Sequence, residues 1–208
     1  MNVFEFAKQK ELYSERFYRH LAGRAPKGGL SYILTLLADE EADHYQVVDR
    51  MSRGIPPQVT ETGILDGARQ IFERMKGSAD QVDLDVGALK LYQRARELEE
   101  ESRRFYLSRA REVGPGVQKR VFRQLADQEY RHFIVLENLC AFAARPRVYG
   151  VETFFWRADD SVTQIEQAYA IEEEGAWEMS HAVKDAVDRR ISSCRDIRPH
   201  WVQAGRAG

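Results

Sequence analysis

Apolar residues recur at three- and four-residue intervals along most of this chain, and no stretch alternates with the two-residue period of a strand. The pattern predicts helices over about 3–22, 30–52, 86–112, 117–142 and 161–190. Glycine and proline separate them, as GRAPKGG at 23–29, GIPP at 54–57 and GPG at 114–116. A short helix, ILDGARQIFERM, is expected inside the long 60–83 connection, while 143–160 reads as irregular and aromatic and the last dozen residues as a loose tail. Short turns make antiparallel neighbours. The pattern therefore predicts an all-α protein: two antiparallel hairpins joined by a long crossover into a four-helix bundle over 1–145, then a connector, a fifth long helix and a tail over 146–208.

The apolar stripes are interrupted by acids and imidazoles, and the interruptions repeat. Residues 37–44 read LADEEADH and residues 125–132 read LADQEYRH, identical at five of eight positions and 88 residues apart. The same offset pairs Ala7 with Ala95, Glu11 with Glu99, Ser14 with Ser102, Phe17 with Phe105 and Tyr18 with Tyr106. Each half thus carries a Glu, a Phe-Tyr pair six and seven residues later, and Glu-x-x-His thirty residues after the first Glu.

On a helix, positions three, four and seven apart share one face. Around Glu11 that face holds Phe4, Ala7, Ser14, Glu15 and Tyr18; around Glu99 it holds Tyr92, Ala95, Ser102, Arg103 and Tyr106. Leu34, Leu37, Ala38, His44, Tyr45 and Val48 surround Glu41, and Phe122, Leu125, Ala126, His132, Phe133 and Leu136 surround Glu129. Glutamate is rarely buried without a partner. The midpoint of Glu11 and Glu41 is Pro26, and that of Glu99 and Glu129 is Gly114, each in a predicted turn. Both hairpins therefore bring their glutamates to one height. Glu11, Glu41, His44, Glu99, Glu129 and His132 would meet at one level of the core.

Four carboxylates and two imidazoles at one level fit a dinuclear metal site, because two divalent ions neutralise the four acids. Mixed oxygen and nitrogen ligands suit iron or manganese, and no soft ligand is present to favour copper. With Glu11…Phe17-Tyr18, Glu41-Ala-Asp-His44, Glu99…Phe105-Tyr106 and Glu129-Tyr-Arg-His132, the chain resembles the ferritin-like superfamily over about 3–142, and most closely its rubrerythrin-related branch. The resemblance implies two iron ions, with manganese as the alternative, that react with oxygen or hydrogen peroxide. It implies those six residues as ligands and Tyr18 and Tyr106 as neighbours that donate to carboxylates or take part in redox chemistry.

Two features depart from that branch. The four cysteines of a rubredoxin domain are not here, so electrons would come from a separate donor protein or reductant. The extra carboxylate three residues after the third-helix Glu is replaced by Ser102, and Glu15 is the candidate substitute, although an ordinary polar role fits it better.

Other repeated or acidic positions read as surface. Asp39 and Asp127 lie nearly opposite the ligand face and are expected at the surface or between helices, and Glu40, Glu97, Glu100 and Glu101 are expected on solvated faces. In the fifth helix Glu172 has Met179 seven residues on, where the motif would have tyrosine, and the helix is expected to cover the bundle or pair with a second subunit. His20, His181 and His200 have no ligand partner at helical spacing.

Composition narrows the partners. Thirty-one Lys and Arg nearly balance thirty-three Asp and Glu, which gives no electrostatic case for nucleic acid or an anionic membrane. No signal peptide or membrane-length apolar run is read, and Cys140 and Cys194 form no CxxC pair, so the expected setting is a reducing cytoplasm. Cys140 is expected to be packed rather than reactive. The functional expectation is a di-iron oxidoreductase that reduces peroxide or oxygen in oxidative-stress defence, as a homodimer or higher homo-oligomer. The alternatives are a ferroxidase or iron-handling protein, and a non-catalytic domain that metal stabilises for interaction.

Overall fold

The computed structural model describes residues 2–77 and 86–144. Within them are five helices: α1 (Val3–Arg24), α2 (Gly29–Ser52), α3 (Ile64–Gly77), α4 (Val86–Glu112) and α5 (Val117–Ala144). The four long ones match the predicted spans to within two residues at each end, and α3 includes the short helix expected in the crossover. The predicted helix over 161–190, with Glu172 and His181, lies outside the described residues, as do Cys194, His200 and the 146–208 region as a whole.

Local signals set the ends. The Asn2 side chain caps α1 by accepting from the Glu5 amide at 2.9 Å. The turns at 25–28 and 113–116 both end on glycines of positive φ, Gly28 at 128° and Gly116 at 147°. These two glycines are themselves 88 residues apart, so the turn chemistry repeats along with the motifs. A side chain at either position would strain the backbone that starts the second helix of its hairpin.

The most extensive packing is within the hairpins, α1 on α2 and α4 on α5. Across the hairpins, α1 meets α4 through Phe6 and Phe105, ring centroids 5.2 Å apart. α2 meets α5 through the stacked rings of His44 and His132, also 5.2 Å apart. The crossover helix α3 lies on α2 and α5. Its Phe72 ring sits 5.7 Å from that of Phe142. Gly29, the first residue of α2, permits this approach, since a Cβ there would lie 2.2 Å from Met75 Sδ and 2.8 Å from Ile71 Cγ2.

The predicted stripes are the buried faces. Ala7, Ser14 and Tyr18 on α1, Tyr92, Ala95, Ser102, Arg103 and Tyr106 on α4, and Leu34, Leu37, Ala38 and Val48 on α2 are all buried. So are Phe122, Leu125, Ala126 and Leu136 on α5, while Phe4, Glu15, Tyr45 and Phe133 are half-buried. Below the acidic level, Val47, Val48, Met51, Tyr106, Ala110, Val121, Phe122 and Leu125 form a continuous apolar core. Cys140 is buried, and burial pushes its thiol up to about 12. His20, which has no ligand partner at helical spacing, is exposed.

Candidate metal centre

All six expected residues are brought together. Glu11, Glu41, His44, Glu99, Glu129 and His132 are each at most 2% exposed. His44 Nδ1 lies 3.1 Å from Glu129 Oε1, 3.8 Å from Glu11 Oε2 and 3.8 Å from Glu41 Oε2. His132 Nδ1 lies 2.9 Å from Glu41 Oε1, 3.5 Å from Glu99 Oε2 and 3.9 Å from Glu129 Oε2. Ligand atoms of Glu41, His44, Glu129 and His132 all fall within 4.8 Å of one another, a set that could hold a metal ion. Glu11 reaches it from α1 and Glu99 from α4.

Each of the remaining atoms on these residues is either fixed from behind or left facing the cluster. The Tyr18 hydroxyl of α1 donates to Glu99 Oε1 of α4, and the Tyr106 hydroxyl of α4 donates to Glu11 Oε1 of α1. The opposite oxygens, Glu11 Oε2 and Glu99 Oε2, have no hydrogen-bond donor, and neither do Glu41 Oε2 or both oxygens of Glu129. His44 Nδ1 is likewise without a hydrogen-bond partner. Buried polar atoms without partners are costly. Here they share one small volume.

The imidazoles are held by their outer nitrogens. His44 Nε2 is 2.8 Å from Gln128 Oε1, and His132 Nε2 is 2.8 Å from Glu40 Oε2. The Gln128 amide donates to the Thr60 carbonyl at 2.6 Å, so its oxygen faces His44 and accepts from Nε2–H. Glu40 accepts in addition from the Thr62 hydroxyl. Thr62 Oγ1 in turn accepts from the Ile64 amide at 3.1 Å and so caps α3. Both outer contacts leave Nδ1 of each ring turned inward.

Glu40 corrects the expectation of a solvated side chain. Its position beside Glu41 suggested an outward face, yet its carboxylate is only 22% exposed and reaches sideways to α5. Gln128, its counterpart in the repeat, carries no signal in the sequence, because the two motif copies differ there. Glu100 corrects that expectation too, since its side chain is 12% exposed between Arg103 and Arg104, whereas Asp39, which bonds Arg19 of α1 at 2.8 Å, and Glu97 and Glu101, which pair with Arg94, do face outward. Glu15 pairs with Arg19 on its own helix, and Ser102 is buried.

Protonation follows from crowding. Burial drives Glu11 up to about 7, and burial together with the charges of Glu41, Glu11 and Glu99 drives Glu129 well above the carboxylate range. Burial disfavours charge on His44 and His132 too, but their carboxylate neighbours outweigh it and raise both rings well above 6.5. Burial also opposes ionisation of Glu41, yet the hydrogen bond from His132 and the nearby His44 ring prevail and hold it low. Burial and the adjacent carboxylates push the Tyr18 and Tyr106 hydroxyls upward, so both remain donors. Without a cation, protons balance the charge of the cluster.

A surface pocket of about 230 Å³ reaches His44 and Gln128 beside the crossover and is lined in part by Asp43, Arg50, Thr60 and Glu61. No described helix is long and apolar enough to cross a membrane.

Bundle and cluster together define a ferritin-like protein with a carboxylate–histidine core. The rubrerythrin family model matches residues 2–140, two thirds of the chain, and the protein belongs to that family. No curated protein and no solved structure matches it significantly.

Proposed function

We propose that this protein is a non-haem di-iron oxidoreductase that reduces hydrogen peroxide or oxygen with electrons from an external donor. The observation that carries the reading is the set of buried, unpartnered atoms on Glu11, Glu41, His44, Glu99 and Glu129 that face one another. Four ionised carboxylates require two divalent cations for neutrality, and the donor set suits iron, with manganese the alternative occupant. His44 and Glu11 would hold one ion and His132 and Glu99 the other. Glu41 and Glu129, each near both imidazoles, would help hold both.

Bound iron would supply the redox chemistry that reduces peroxide or oxygen. The chain's own residues fix and insulate the site. Tyr18 and Tyr106 each hold one oxygen of a terminal carboxylate and leave the other free to bind. Leu37, Ala38, Leu125 and Ala126, all at most 1% exposed, keep bulk water from the cluster. Neither cysteine belongs to a CxxC pair, so electrons would arrive from a separate protein or small reductant.

The test begins with metal content after growth in iron-supplemented medium. About two ions per chain are expected, with a large loss in the Glu41→Ala, His44→Ala double variant. Anaerobically loaded protein is then mixed with peroxide or oxygen in separate samples. Rapid oxidation by either, reversed by an added electron donor, supports the reading. Iron that stays ferrous in both would refute it. A second reading, a ferroxidase that passes iron onward, is favoured by the pocket that brings Asp43 and Glu61 beside His44. Under that reading ferric iron would leave the chain after oxidation.

A further inference from the structure

The two halves of the site obey the 88-residue repeat closely enough that a departure is informative. Glu11 and Glu99 correspond, as do Tyr106 and Tyr18, Glu41 and Glu129, and His44 and His132. Glu40 and Gln128 correspond as well, and each crosses to the other hairpin to hold the outer nitrogen of a histidine at 2.8 Å. The geometry is the same in both halves. The chemistry is not, for one acceptor is a carboxylate and the other a neutral amide.

We propose that this substitution makes the two metal positions unequal: the position capped by His132 binds the tighter ion, and the position capped by His44 holds the exchangeable one. The inference rests on the two-metal reading above. A carboxylate that accepts from Nε2–H concentrates electron density on the ring and makes Nδ1 a stronger donor to a cation. An amide oxygen carries no net charge and does this less. Changes at this kind of outer contact alter metal affinity by about ten- to a hundredfold, which sets the expected gap between the two positions.

The other charged departure on the ligand faces competes poorly as a cause. Glu15 and Arg103 occupy equivalent positions with opposite charge, but each is engaged by its own helix, Glu15 by Arg19 and Arg103 by Glu100. The pocket beside the crossover is lined by both outer partners, Glu40 and Gln128, and by His44, whereas His132 is not on its wall.

Glu40 and Gln128 are positioning residues, and the test reads binding rather than turnover. The full chain is freed of metal with a chelator and titrated with Co(II) by calorimetry. The wild type should bind two ions in steps about ten- to a hundredfold apart. Glu40→Gln should weaken the first step until the two merge, Gln128→Glu should strengthen the second to the same end, and the combined swap should restore two separate steps. In protein labelled with nitrogen-15 histidine, the first equivalent of Co(II) should broaden the His132 ring signals before those of His44. In the combined swap that order should reverse.

Two wild-type steps within the fourfold statistical factor overturn the proposal while leaving the two-metal reading intact. So does a gap unchanged in both single variants, or His44 broadening first. Binding of fewer than two ions overturns the two-metal reading and the proposal with it. Because Glu40→Gln removes the charge of an acceptor that serves both His132 and Thr62 and could disturb the fold, Gln128→Glu provides the independent arm.

Discussion

Removing metal from this protein should make its stability fall as pH rises, opposite to the usual behaviour of carboxylate-rich proteins between acid and neutral pH. Glu11 keeps its proton in the fold up to about 7, against 4.5 for the free side chain. Through that window the unfolded chain has released a proton that the folded chain still binds, so rising pH favours unfolding. At about 1.4 kcal/mol per pH unit, a shift of this size amounts to roughly 3 kcal/mol, or on the order of 6–12 °C in Tm for a chain of this length. Glu129 shifts in the same direction. His44 and His132 extend the loss above 6.5, toward their own raised values. Glu41 shifts the other way, but its contribution is lost only as pH falls below 4.5, outside the window. Metal bound at the cluster would displace these protons, so stabilisation by metal should grow with pH. Thermal unfolding of chelator-treated protein followed by circular dichroism from pH 5 to 8, with and without excess Mn(II), checks both slopes. A metal-free Tm that stays level or rises from pH 5 to 7 would show that protons do not balance the cluster and would refute the reasoning.

Further outcomes follow from single contacts. Tyr18→Phe takes the donor from Glu99 Oε1 while Glu99 Oε2 already lacks one, so the metal-free protein should lose about 1–3 kcal/mol in urea unfolding, and metal affinity should drop roughly tenfold. Gly29→Ala places a Cβ against Met75 and Ile71, and should cost about 1–3 kcal/mol by pushing α3 from α2, seen as faster amide exchange in α3 with α1 unchanged. Cys140, whose buried thiol is held near 12, should resist iodoacetamide at pH 8 in the folded protein and react in urea, as mapped by peptide mass spectrometry.

Which parts of the centre could be read in advance depends on the range of the interaction. Helix faces are set by spacing along one element, so the burial of Glu11, Glu41, Glu99 and Glu129 was legible from their apolar neighbours three and four residues away. The common height was legible too, because the short turns at Pro26 and Gly114 fold each hairpin about its midpoint. The crossed contacts were not. Spacing places Tyr18 two turns from Glu11 on one stripe, but its hydroxyl goes to Glu99 of the other hairpin, and Tyr106 returns the exchange with Glu11. Glu40 lies one residue from the ligand face and reads as outward; only the packing of α2 against α5 gives it His132 to hold. Identity within the repeat was also a poor guide to role. Asp39 and Asp127 are identical, yet Asp39 lies outside the cluster in a bridge to Arg19. Glu40 and Gln128 differ and yet perform the same positional task. A tertiary hydrogen bond asks only for an acceptor at the right place, which carboxylate and amide both supply. Crossing also has a mechanical consequence. Each hairpin supplies the groups that fix the other's ligands, so neither alone can present a set of carboxylates and imidazoles with its outer atoms satisfied. The centre is a property of the paired hairpins, and metal binding should report on their association rather than on the folding of either one.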